Sequence, residues 1–317
     1  MAEEEYQIPI FFINGQLDSG KTRFITETIE MGQFAEAKNK LLIVCEEGEE
    51  EYDEKMLKDN GVSMVVLEKE DLTEEKLKEL DKQYDPWIVI VEYNGMWDPD
   101  TILSVDMPRG WEIYQIVTMI DASTFAVYLN NMKSIIGNMI KCTELVIFNR
   151  CSEEQDLPMF RRNLKALNSN VQMMFEHKDG RMIELGKDIP PYDLNAPIID
   201  ITDDDYGIWY MDCQDEPQKY AGKTVKFLAQ VCQTNRAGKN SFVPGRFAMT
   251  CCVQDIQFVG FPCSYDGCKA LEQRAWVKVT AKVGYKFHNI YRGKGPVLTA
   301  LSVEPAEKPL NDVVTFS

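Results

Sequence analysis

The chain has 317 residues, room for two domains of ordinary size, and 44% of them are hydrophobic, as in a globular protein. A formal net charge of −17 and the lack of any apolar run of bilayer length exclude nucleic acid as a partner and exclude direct membrane insertion. Nine cysteines, only two histidines and an N-terminus (MAEEE) with neither a basic nor an apolar region predict a cytoplasmic protein with reduced thiols and no multi-histidine centre.

From the N-terminus, short apolar runs alternate with amphipathic stretches. The runs at 9–14 (PIFFIN), 40–45 (KLLIVC), 64–67, 87–93 (WIVIVEY), 113–121 (IYQIVTMID), 144–148 (ELVIF) and 171–175 are continuous and β-branched, as strands covered on both faces are. Helical patterns occupy 21–31, with Phe24, Ile25, Thr28 and Ile29 on one face, 73–82, opening on Thr73, and 156–167, entered through Asp156 and Pro158. Residues 1–176 are therefore expected to form an α/β domain with a mostly parallel sheet. Residues 177–219, rich in Asp, Pro and Gly, read as an acidic linker with a few packed aromatics, Trp209 and Tyr210 among them. Residues 220–317 alternate in strand fashion over 224–232, 245–252, 256–261, 276–285 and 297–303, with turn signals at Ala237-Gly238 and 292–295 (RGKG). This predicts a small antiparallel β-barrel with a C-terminal tail, an OB-like arrangement being one option.

Residues 15–22 (GQLDSGKT) fit the pattern GxxxxGK(S/T) between an apolar strand and an amphipathic helix. Gly15, Gln16, Leu17, Asp18, Ser19 and Gly20 are the expected phosphate cradle, because glycines let backbone N–H groups turn toward phosphate oxygens at a helix N-terminus. Lys21 is expected to reach the β- and γ-phosphates and Thr22 to offer its hydroxyl to Mg²⁺. Glu92 ends the run WIVIVE, where a carboxylate can hold Mg²⁺ or its water, and Gly95 follows where backbone can approach the γ-phosphate. In the acidic run after Cys45, most of which reads as a solvated loop, Glu47 and Glu49 are the candidates to face the metal. Asn149 and Arg150 follow the run ELVIF, the place of a base-reading loop of form Asn-Lys-x-Asp. Ser152 replaces its acid, which predicts only a modest preference for GTP over ATP.

Together these pieces resemble the CobW/HypB/UreG group of P-loop GTPases, CobW most of all, over residues 8–176. IPIFFINGQLDSGKT resembles that family's opening strand and phosphate loop. IVCEEGEEEYD resembles its Asn-Glu-Phe-Gly-Glu switch segment, through Glu46, Gly48 and Glu49. VEYNGMWDP resembles the element carrying its second acidic residue, through Glu92, Gly95 and Pro99, and MIDASTF and LKALNSNVQMM match in order. The resemblance implies a GTP- and Mg²⁺-dependent switch that couples hydrolysis to metal delivery. The family's Cys-x-Cys-Cys motif has no counterpart, since residues 52–86 contain no cysteine.

Residues 220–309 resemble the β domain that ends bacterial permease-associated proteins, through YAGKTV, GRFAMTCC with Asp255, and WVKV. That resemblance offers a permease, or another protein client, as partner. Six of the nine cysteines lie beyond residue 210, and Cys251 and Cys252 are the candidates for a soft-metal site. As ordinary core residues, they are adjacent on a strand and point to opposite faces. A nucleotide-binding sensor or adaptor without hydrolysis is the alternative, a small-molecule kinase is a third, and the oligomeric state is left open.

Overall fold

The computed structural model describes residues 7–46, 48, 50–185, 190–249 and 256–315. The candidates Glu47, Glu49, Cys251 and Cys252 lie outside the described residues. The chain divides into two units, Met1–Leu157 with Leu167–Leu185, and Pro158–Ala166 with Gly186–Ser317.

In the first unit, strands β1 (Ile8–Gly15), β2 (Lys40–Val44), β3 (Val62–Val66), β4 (Ile88–Glu92), β5 (Trp111–Asp121), β6 (Leu145–Cys151), β7 (Gln172–His177) and β8 (Met182–Ile183) form one sheet. Its order is β3-β2-β4-β1-β5-β6-β7-β8, and every pairing is parallel except that of β7 with β8. Helices α1 (Lys21–Glu30), α2 (Glu54–Asp59), α3 (Glu74–Tyr84), α4 (Asp100–Leu103), α5 (Ala122–Asn131) and α6 (Lys133–Lys141) connect the strands.

The unbroken apolar runs have a direct cause. Leu41, Ile43, Val89 and Val91 share one core with Leu77 and Leu80 of α3, whereas Leu42, Val44, Ile88 and Ile90 share another with Ile25 and Ile29 of α1. Alternate residues thus enter opposite cores, and each such side chain contributes roughly 1.5–3 kcal/mol by burial. Caps set the helix starts: the Thr73 hydroxyl accepts from Lys76 N–H at 3.3 Å for α3, and Asp53 accepts from Met56 N–H at 2.8 Å for α2. Helices α5 and α6 have no counterpart among the stretches read as helical. Met132 alone separates them, neither has an acidic first turn, and α6 has no side-chain cap.

The second unit holds α7 (Leu157–Leu167, all but its terminal residues), β9 (Ile199–Asp200), α8 (Tyr206–Asp215), α9 (Pro217–Tyr220) and β10 (Thr224–Cys232). After these come β11 (Ser241–Ala248), β12 (Gln257–Gly260), β13 (Cys263–Ser264), β14 (Trp276–His288), β15 (Gly293–Pro305) and β16 (Val313–Val314). The strand order is β12-β11-β13-β15-β14-β10-β9, with a further pairing of β10 to β11. The sheet is mixed, not antiparallel throughout, because β9–β10, β11–β16 and β13–β15 run parallel. Val225, Phe227, Ala229 and Val231 of β10 are buried at every second position, which is the alternation seen in the sequence.

The segment expected as a linker contributes to this core. Trp209 of α8 is fully buried, with its ring 4.8 Å from that of Phe227 and 5.3 Å from that of Phe261. An acidic surface disguises the helix: the same stretch buries Tyr206, Met211 and Cys213 and leaves Asp204 and Asp215 to solvent.

Candidate functional site

In an open parallel sheet, ligands bind at the carboxyl ends of the strands where the chain reverses its direction of travel across the sheet. Here that point is β1, flanked by β4 and β5, and the candidate residues converge on it. Gly15 closes β1 at φ 145°, and a Cβ there would collide with the Met119 carbonyl of β5. Gly95, in the loop after β4, lies so close that its own Cβ would strike the Gly15 carbonyl oxygen. Gly20 opens α1 at φ 88°, with space for a Cβ denied by Asn149 Nδ2 at 2.8 Å. Leu17 and Asp18 form the exposed tip.

Lys21 folds back under this loop and is only 3% exposed. Its Nζ donates to the carbonyls of Gly15 at 2.9 Å and Gln16 at 2.8 Å, and pairs with Glu46 Oε2 at 2.5 Å. Thr22 Oγ1 donates to Glu92 Oε1 at 2.7 Å, and the Tyr52 hydroxyl donates to the other oxygen of the same carboxylate. Burial raises the Glu92 carboxyl above its ordinary value, with the hydrogen bonds from Tyr52 and Thr22 and the charge of Lys21 opposing the shift. Burial, and then Glu92, push the Tyr52 phenol well up, so it remains a donor. The Cys45 thiol is pushed up to about 12, by burial first and by Glu92 and Glu46 after it.

Asn149 and Arg150, at the end of β6, hold the loop from the other side. Asn149 Nδ2 donates to the Ser19 carbonyl at 2.7 Å. Arg150, at φ 52°, donates to the Asp18 carbonyl at 2.9 Å and pairs with Asp121 at 2.5 Å. Burial alone would raise the Asp121 carboxyl, but hydrogen bonds from Ser123 and Arg150 outweigh it and hold the group below its ordinary value. Arg150 is therefore a positioning residue. The sequence reading missed Tyr52 and Asp121; their signals were the one aromatic in the acidic run 46–54 and the Asp-x-Ser spacing of a helix cap.

The loop has unmet capacity. Ser19 Oγ, Gln16 Oε1 and Asn149 Oδ1 are buried with no hydrogen-bond partner among the described residues. Buried polar atoms are almost always partnered, so their concentration at a glycine-built phosphate loop fits a bound nucleotide. The hydroxyl of Thr22 and the carboxylate of Glu92 are hard oxygen donors of the kind Mg²⁺ takes. A cavity of about 160 Å³ bounded by Lys21, Thr22, Glu46, Glu92 and Arg150 opens onto both. Among the described residues no three His, Cys, Asp or Glu side chains group as a metal site, and no helix is long and apolar enough to cross a membrane. Cys263 is buried, and burial pushes its thiol up to about 12.

Fold and site together define a P-loop nucleotide-binding unit. The chain belongs to the CobW/HypB/UreG family, whose nucleotide-binding domain matches residues 9–175. A second family, the DUF1980 C-terminal domain, matches residues 181–314. Among solved structures, HypB from Archaeoglobus fulgidus is similar at 16% identity and TM-score 0.41, over 56% of this chain and 84% of that one. A Zn(II)-bound triple mutant of the YjiA GTPase is similar at 16% identity and TM-score 0.41, over 57% of this chain and 60% of that one. HypB from Helicobacter pylori in complex with nickel is similar at 12% identity and TM-score 0.36, over 56% and 81%. No curated protein matches the chain.

Proposed function

We propose that the first unit binds a guanine nucleoside triphosphate with Mg²⁺, hydrolyses it, and works as a switch read by the C-terminal unit or a protein client. The observation that carries this is the convergence of Lys21, Thr22 and Glu92 beneath a loop whose own Ser19 hydroxyl lacks a partner among the described residues. Thr22 and Glu92 would hold the metal, which when bound neutralises phosphate charge and polarises the bond to be broken. Glu46 supplies the switch. Its carboxylate sits on Lys21 as a phosphate oxygen would, so phosphate entry must displace it along with the segment that carries it. Arg150 is committed to Asp18 and Asp121 and does not serve as a phosphate cation, so intrinsic turnover is expected to be slow.

The pairings from β10 through β14, β15, β13 and β11 back to β10 support reading the C-terminal unit as a small barrel of OB-like kind. Metal handling, or a membrane permease partner, is the context that the family membership and the C-terminal resemblance support. Phosphate release from GTP, followed with Mg²⁺ and with chelator, tests the reading. We expect slow, Mg²⁺-dependent turnover that falls at least about tenfold in Thr22→Val. Tight binding with no turnover under any condition would leave a nucleotide sensor in its place.

A further inference from the structure

The family's base-reading acid is missing at Ser152, and the structure offers a replacement from a different strand. Beside the phosphate loop, a cavity of about 270 Å³ is lined by Gly20, Asn149, Arg150 and the turn from Glu176 to Gly180. Ser152 is not among its lining residues, and the Ser152 N–H is taken by Gln155 Oε1 at 2.7 Å. The register explains why β7 reaches this place. Phe148 lies opposite Phe175 on parallel neighbours, their rings stacked at 4.9 Å; the register then shifts so that Cys151 faces His177, and the residues between, Asn149 and Arg150 on β6 and Glu176 on β7, line the same cavity.

Two carboxylates from the turn line the cavity. Asp179 is committed, to His177 Nδ1 at 2.8 Å and Arg181 Nε at 2.8 Å. The carboxylate of Glu176 has no hydrogen bond or ion pair among the described residues, and Arg23, whose charge it feels through space, is paired with Glu27 at 2.7 Å. The same cavity is lined by Asn149, whose Oδ1 is buried with no hydrogen-bond partner among the described residues. An uncommitted carboxylate and an unmet carbonyl oxygen lining one cavity call for a ligand edge rich in N–H donors.

We propose that Glu176 is the specificity-determining residue for the base, its carboxylate accepting from N1–H and the N2 amino group of guanine. This rests on the nucleotide reading above. Guanine presents two adjacent donors that suit the two oxygens of one carboxylate, whereas adenine presents an acceptor at N1, which a carboxylate repels. Selectivity for guanine is then strong, not the modest preference that Ser152 alone predicts.

The test uses the full chain, its Glu176→Gln variant, and equilibrium binding of Mg·GTP, Mg·ATP and Mg·XTP. Glu176→Gln is expected to lose about ten- to hundredfold in GTP affinity. It should gain affinity for XTP, because the amide can donate to the carbonyl that xanthine carries at C2. Glu176→Asp, which keeps the carboxylate on a shorter side chain, should retain part of the GTP preference, which a merely structural role for Glu176 would not require. Unchanged ratios among the three nucleotides in Glu176→Gln would overturn the assignment while leaving the phosphate site standing, and so would a wild-type preference for ATP. Absence of any triphosphate binding in the wild type would overturn both.

Discussion

The two units treat buried polar atoms differently. Among the described residues, the unpartnered ones of the first unit are Asn14 Nδ2, Gln16 Oε1, Ser19 Oγ and Asn149 Oδ1, all on the phosphate loop or the strand ends that hold it. Those of the second unit, Arg162 Nε, Trp209 Nε1, Gln230 Oε1 and Arg246 Nε, fall on four different elements. The other nitrogens of Arg246 are satisfied, NH1 by Asp203 at 2.6 Å and NH2 by the Asn311 carbonyl at 2.8 Å, and Trp276 lies under its guanidinium at 5.0 Å. An unmet buried polar group costs about 1–3 kcal/mol, so scattering them is ordinary wear whereas stacking them in one loop needs a compensating role. The difference separates a region built to receive something from a region built to hold its shape.

The contrast can be broken in four places, from the largest expected effect to the smallest. Trp209→Ala should destabilise the second unit by about 3–5 kcal/mol in urea unfolding and leave nucleotide affinity unchanged. A loss of nucleotide binding in that variant would erase the distinction between the units. Gly95→Ala should lower the stability of the first unit by about 1–3 kcal/mol, since its new methyl group meets the Gly15 carbonyl, and should weaken triphosphate binding with it. A melting curve matching wild type would show that the close approach of the two loops is dispensable. Glu46→Gln removes the charge that competes with phosphate for Lys21, so Mg·GTP affinity should rise, by up to about tenfold. A fall in affinity would mean that Glu46 helps hold the nucleotide. Ser19→Ala should stabilise the nucleotide-free protein by up to about 1 kcal/mol, because it deletes a buried hydroxyl with no partner among the described residues, and should weaken nucleotide binding. Destabilisation in the absence of nucleotide would show that the hydroxyl already has a partner.

Much of the first unit was legible in the sequence because its physics is local. A β-branched run, a glycine-bounded loop and an amphipathic helix stand consecutively between Ile8 and Glu30, so strand, cradle and helix could be read in order. Glu92 and Asn149 were legible for a related reason: each ends an apolar run, and in a parallel sheet those ends share one edge. The contacts within the site were not legible. Nothing in the spacing says that Glu46 rests on Lys21 or that Tyr52 closes on Glu92, because these pairs join segments 25 and 40 residues apart. Glu176 was hidden for the same reason: it shares a cavity with Asn149 only through the pairing of β6 with β7. Composition misled at 177–219, where Asp, Pro and Gly signalled an acidic linker with a few packed aromatics, although Tyr206–Asp215 is a helix that buries Tyr206, Trp209 and Cys213 in a core.

The central claim is that the loop at residues 15–22 receives a triphosphate through Lys21. Because Lys21 is buried against Glu46, Lys21→Ala alone strands a carboxylate and should lower the melting temperature; Lys21→Ala with Glu46→Gln removes that penalty. The deciding measurement is the Mg·GTP titration of the wild type against this folded double variant. The account predicts clear saturable binding by the wild type and an affinity lower by at least about a hundredfold in the double variant. An affinity for Mg·GTP within a few-fold of wild type in the double variant would contradict it.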